Sequence, residues 1–144
     1  MKLLAIVILP LAALSLTGCA SVTQFLSSES ETHFADGGEL FDSGIIDPGE
    51  ATWLPTDASD IALQRSTKSD VTPTAVIAFT SGSELIGCVE TERLSLPAYN
   101  VAWGPGDEIV AETTVHACGE WVFVPVDNGW FGWTPSAPGE RDAT

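Results

Sequence analysis

Apolar positions fall into two regimes along the 144 residues. From Leu3 to Leu16 they are nearly unbroken, about 14 residues behind the single positive charge of Lys2. From Glu39 onward they come in short runs interrupted by Gly, Pro and Asp. Between the two regimes, residues 20–38 (ASVTQFLSSESETHFADGG) hold no sustained period of 2 or 3.6 and read as a flexible spacer.

Within the second regime the pattern predicts short strands. Ala51 to Pro55 and Asp60 to Arg65 read as two strands joined by a turn at residues 56–59, with Ile61 and Leu63 on one face. Thr74 to Thr80 is β-branched and bounded by Pro73 and Ser81-Gly82. Ser83 to Glu92 fits either a short helix capped by Ser83 or a further strand. Ala98 to Trp103 runs into Gly104-Pro105-Gly106, and Ile109 to Cys118 alternates, with Ile109, Ala111, Thr113, Val115 and Ala117 on one face. Trp121 to Val126 and Trp130 to Thr134 flank Asp127-Asn128-Gly129, which predicts a hairpin on an Asn-Gly turn of positive φ. Pro125 has no N–H to give a ladder, so that side should face away from a partner strand. The expected fold is mainly β or α+β: one small domain of short antiparallel strands over residues 39–136, with at most one short helix. Residues 137–144 read as a disordered tail.

The first apolar run is shorter than the roughly 20 residues a membrane-spanning helix needs, and Pro10 interrupts it. A charged start, an apolar middle and small residues after it mark an export signal over residues 1–18. The next residues, Leu16-Thr17-Gly18-Cys19, resemble the bacterial lipobox. That resemblance implies a lipidated Cys19 as mature N-terminus, a lipid anchor on the extracytoplasmic face of the cell membrane, and a tether over residues 19–38. Such a tether would span roughly 25 Å. The competing reading is an ordinary small-x-small cleavage site that frees a secreted protein starting at Ser21.

Charge and cysteine content sharpen this picture. A formal charge of −15 excludes nucleic acid as partner, because phosphate binding needs a basic surface. Loss of residues 1–18 removes Lys2 and no acidic group, which leaves the mature chain at −16. With Cys19 given to lipid, Cys88 and Cys118 form an even pair in an exported chain, and the expectation is a disulfide. Closing a loop of about 31 residues contributes ~3.5 kcal/mol in the chain-entropy account. The rival is a metal set of Cys88, His116 and Cys118 with His33, but no second Cys-x-x-Cys or His-x-x-x-His supports it. Neither a metal nor a cofactor is expected.

Catalytic motifs are sparse. Ser81-Gly82-Ser83 is not a nucleophile elbow, and no glycine-rich phosphate loop precedes a helix. Carboxylate pairs such as Asp107-Glu108, or Asp57 with Asp60, arise by chance among 20 acidic residues. His116 is the one histidine of the expected domain, so a hydrolase would have to use it with nearby carboxylates. Five tryptophans are the compositional oddity. They either fill the core or, at Trp103, Trp130, Phe131 and Trp133, form a surface for a glycan or an envelope protein. Trp130 and Trp133 are three apart, so one must point inward, and Phe131 shares a face with Trp133.

The order Trp53-Leu54-Pro55, Asp60-Ile61, Cys88, Cys118-Gly119-x-Trp121 and Gly129-Trp130-Phe131-Gly132-Trp133-Thr134 resembles that of small exported actinobacterial lipoproteins. The resemblance implies a single domain over about residues 51–135 and no activity. The expectation is a non-enzymatic binding or scaffolding domain with no assigned catalytic residue. The alternative is the His116 hydrolase.

Overall fold

A computed structural model describes residues 29–68 and 73–144. The export signal, Cys19 and most of the spacer lie outside the described residues. Among the described residues, seven strands form one antiparallel sheet: β1 (Glu29–Asp36), β2 (Ser59–Ser66), β3 (Ala75–Thr80), β4 (Val89–Glu92), β5 (Thr114–Cys118), β6 (Trp121–Val126) and β7 (Gly129–Thr134). The spatial order is β1-β2-β3-β7-β6-β5-β4. The sheet is therefore two antiparallel meanders, β1 to β3 and β4 to β7, joined where their last strands pair. Two short helices complete the domain, α1 (Gly37–Asp42) and α2 (Pro138–Arg141), with a 3-10 turn at Gly106–Val110. The mainly β expectation holds. Among the described residues no helix is long and apolar enough to cross a membrane.

Both faces of the sheet are covered, which explains why the central strands are apolar without alternation. Trp121, Val122, Phe123 and Val124 are all buried, as are Ile61, Ala62 and Leu63. On one face Ile61, Leu63, Ala75, Ile77, Phe79, Trp121 and Phe123 pack under α1 and residues 43–58. Trp53 is the centre of that lid: its ring lies 4.5 Å from Phe123, 5.4 Å from Trp121 and 6.2 Å from Phe79, centroid to centroid. Such aromatic pairs add roughly 0.5–1.5 kcal/mol each beyond the area they bury. On the opposite face Val76, Val115, Ala117, Val122, Val124, Phe131 and Trp133 pack under Val101 and Ile109.

Several boundaries differ from those expected. Among the described residues, strand structure already includes Glu29, ten residues before Glu39: residues 29–36 of the supposed tether pair with β2 along their length, from Glu29 opposite Ser66 to Asp36 opposite Ser59. Only Phe34 is buried on this edge strand, so its alternation is polar against polar and leaves no hydropathy signal. Residues 51–55 are turns, in which the Leu54 N–H donates to Ala51 O and the Ala51 N–H to Asp47 O. The Asp47 carboxylate sets the first of these turns by accepting from the Gly49 N–H at 2.7 Å. Residues 98–103 and 111–113 are also irregular, residues 109–110 end the 3-10 turn, and residues 83–92 yield a strand only from Val89, β4. The supposed tail holds α2, with Glu140 fully buried.

The C-terminal hairpin lies where it was predicted, with a different turn. Val126 pairs with Gly129, so Asp127 and Asn128 are the central residues and neither has positive φ. Gly129 is instead the first residue of β7, where a Cβ would collide with the Phe79 carbonyl on β3. The preceding hairpin turns on Gly119 (φ 65°) and Glu120, between Cys118 and Trp121. The β5–β6 pairing ends at His116 opposite Phe123, short of Pro125, in keeping with its missing N–H.

A cleft along one rung of the sheet

The register aligns residues from five strands into one row across the first face. Arg65 on β2 pairs with Ala75 on β3, which pairs with Thr134 on β7. Val122 faces Trp133, which places Thr134 beside Trp121 on β6, and Trp121 pairs with Cys118 on β5. All five line a cleft of about 610 Å³. Arg65 and Trp121 stand at its flanks, about 14 Å apart at three interstrand spacings. The trough between them exists because Ala75 and Thr134 are small, whereas the next rung carries Leu63, Ile77 and Phe123.

The walls come from two loops. Ile45, Ile46 and Trp53 form one, and Ile86 and Gly87 the other. The Ile86 N–H donates to Trp53 O at 3.1 Å, which ties the loops together. The second wall is also fixed covalently. Cys88 and Cys118 form the expected disulfide, across the β4–β5 pair with Cα atoms 4.6 Å apart.

Two donors in this lining have no hydrogen-bond partner among the described residues: the Trp53 indole Nε1 and the Arg65 Nε, both out of contact with solvent. An unsatisfied buried donor costs roughly 1–3 kcal/mol. The other two arginines are engaged. Arg93 donates to the carbonyls of Glu112, Ser95 and Val110; Arg141 donates through Nη2 to Ser136 O and forms an ion pair with Glu120, although its Nε makes no hydrogen bond. Arg65 forms no hydrogen bond or ion pair with a described residue.

The aromatic surface expected from sequence does not assemble. Phe131 and Trp133 are buried in the second face, 2 % and 1 % exposed, with the Trp133 Nε1 donating to Ser95 Oγ at 2.9 Å. Trp130 points to the first face, opposite to them as its spacing required, and is partly exposed. Trp103, also partly exposed, borders a separate groove of about 630 Å³ on the second face, floored by Phe131 and rimmed by Asp60, Glu108, Glu112 and Asp127. That groove offers one unpartnered donor, Trp103 Nε1, within an acidic rim.

His116 is not gathered with carboxylates. Its ring packs edge-on against Trp130 at 4.9 Å, and Trp130 donates to Ser83 O. Glu90 pairs with it across β4 without a hydrogen bond between the side chains. His33 lies on β1, exposed, 2.9 Å from Glu31. Among the described residues no group of three or more His, Cys, Asp or Glu side chains is placed to hold a metal. Asp57 and Asp60 do not act together: Asp57 accepts from Ser81 Oγ at 2.6 Å and from the Gly82 N–H at 3.1 Å. Those hydrogen bonds, Ser81 foremost, hold its carboxyl below the usual range.

The other carboxylate the sequence did not reveal is Glu140. It accepts from the N–H groups of Leu94 (2.7 Å), Ser95 (3.0 Å) and Ala137 (2.6 Å) and from Ser95 Oγ (2.7 Å). Burial alone would raise this carboxyl, but the four donors outweigh it and its pKa lies below the ordinary value. Comparison with family profiles, curated proteins and solved structures finds no match.

Proposed function

We propose that this chain is a non-enzymatic binding domain, held on the extracytoplasmic face of the membrane by lipid on Cys19, that takes a small ligand into the Arg65–Trp121 cleft. The observation that carries the binding role is a mostly apolar cleft whose lining includes the Arg65 side chain, which forms no ion pair with a described residue. A pocket of this size, apolar with a few converging polar groups, is typical of small-molecule sites. The net charge of −15 disfavours polyanionic partners.

The anchor and the cleft are tested separately. Cys19→Ala should move the protein from the membrane fraction to the soluble fraction and abolish incorporation of labelled fatty acid. Persistence of lipid label in that variant would end the anchor reading. For the cleft, a library of small organic acids, alcohols and amides is screened by ligand-observed NMR. Binders should shift the indole signals of Trp53 and Trp121, and a screen with no binder at millimolar concentration would refute the small-molecule reading.

A further inference from the structure

We infer that the ligand of the cleft is a small organic carboxylate with an aromatic or branched apolar body. The inference rests on the reading of this cleft as a binding site and adds its chemical selectivity. Arg65 supplies the argument. It is one of five basic residues in the chain, it lines the cleft at one end of the rung, and it has no acceptor among the described residues. A guanidinium presents only donors, in a planar fork that fits the two oxygens of a carboxylate. The Arg65 side chain in the lining therefore asks for acceptor oxygens.

The rest of the lining describes the body of the ligand. Ala75 and Thr134 leave the trough, and Ile45, Ile46, Trp121 and Ile86 flank it with apolar surface. Ile86 is 54 % exposed, an apolar side chain at the rim that a ligand would cover. Of the two acidic side chains in the lining, Glu120 is paired with Arg141 at 3.0 Å, and Glu50 is solvent-exposed. An extended polyanion would meet the acidic surface beyond the cleft. A single carboxylate with its charge on Arg65 and its apolar body in the trough would not.

The test uses 3-phenylpropionate and its neutral counterpart 3-phenylpropionamide as probes, titrated into the intact domain and followed by indole NMR signals. The acid should bind more than tenfold more tightly than the amide, the ratio that about 1.4 kcal/mol produces. Arg65→Gln should abolish that preference while leaving weak binding of both. Ala75→Leu, which fills the trough, should weaken both probes alike. Near-ultraviolet circular dichroism checks that each variant is folded, and Arg65→Lys serves as a milder second change that keeps the charge and loses the fork. Equal binding of acid and amide to the parent protein would overturn the carboxylate inference and leave the binding cleft standing. Failure of both probes to bind would overturn both.

Discussion

Glu140 and Ser95 are joined twice, through the Ser95 N–H at 3.0 Å and its hydroxyl at 2.7 Å. Ser95 in turn receives the indole N–H of Trp133, so a carboxylate near the chain end fixes both a loop and a core tryptophan of β7. Glu140→Gln keeps the shape but turns one acceptor oxygen into a donor facing other donors. The expected loss is about 1.5–3 kcal/mol, the range for charged hydrogen bonds. It should appear as a lower urea midpoint with an unchanged slope.

The same carboxylate sets the acid limb of stability. Its folded pKa lies below the ordinary 4.5, so the unfolded chain takes up the proton first as pH falls. Its contribution is therefore complete above that ordinary value and disappears as pH drops through the lowered folded value. Asp57, lowered from 3.8, acts in the same direction. Unfolding measured from neutral pH downward should show stability falling in this acid window, and the Glu140→Gln curve should be flatter there.

Gly132 tests the packing of the first face. A Cβ at this position would run into the Phe123 ring, whose place is held by Trp53 and Trp121. Gly132→Ala should cost about 1–3 kcal/mol by overpacking. Phe123→Leu in the same chain should recover part of the loss, and calorimetry of the single and double variants measures it.

Reduction of the Cys88–Cys118 bond opens a loop of 30 residues. The double variant Cys88→Ala, Cys118→Ala should lose ~3.5 kcal/mol by the loop-entropy account. Reducing agent should lower the melting temperature of the parent protein and leave that of the variant unchanged.

What the sequence revealed depended on how much apolar contrast each segment carried. The strand at residues 75–80 and the hairpin at residues 121–134 were legible because Val, Ile, Phe and Trp dominate them. The disulfide followed from cysteine parity in a chain read as exported. β1 escaped notice because Ser30 and Thr32 oppose Glu29, Glu31 and His33, a contrast without hydropathy. Residues 51–55 looked like a strand because Trp53, Leu54 and Pro55 are buried, yet they cap the sheet from a loop. The tryptophan count predicted a packed core or a surface, and the structure divides it: Trp53, Trp121 and Trp133 are buried, while Trp103 and Trp130 are partly exposed on opposite faces. The cleft had no linear signature, since its rung draws on positions 65, 75, 134, 121 and 118. Register, which no single segment encodes, brings them together.

The pairing of β3 with β7 gives the chain an order of completion. Ala75–Thr80 has β2 on one side from the moment residue 80 is available, but its other neighbour is Gly129–Thr134, the last of the seven described strands in chain order. Until that strand exists, both meanders present an unpaired edge and half-covered cores, and Trp133 has no place to go. A polypeptide emerging N-terminus first, whether from a ribosome or through a membrane pore, therefore cannot seal this sheet early. Closure waits on the delivery of residues 129–134, a high-contact-order step that couples folding of the N-terminal meander to the arrival of β7.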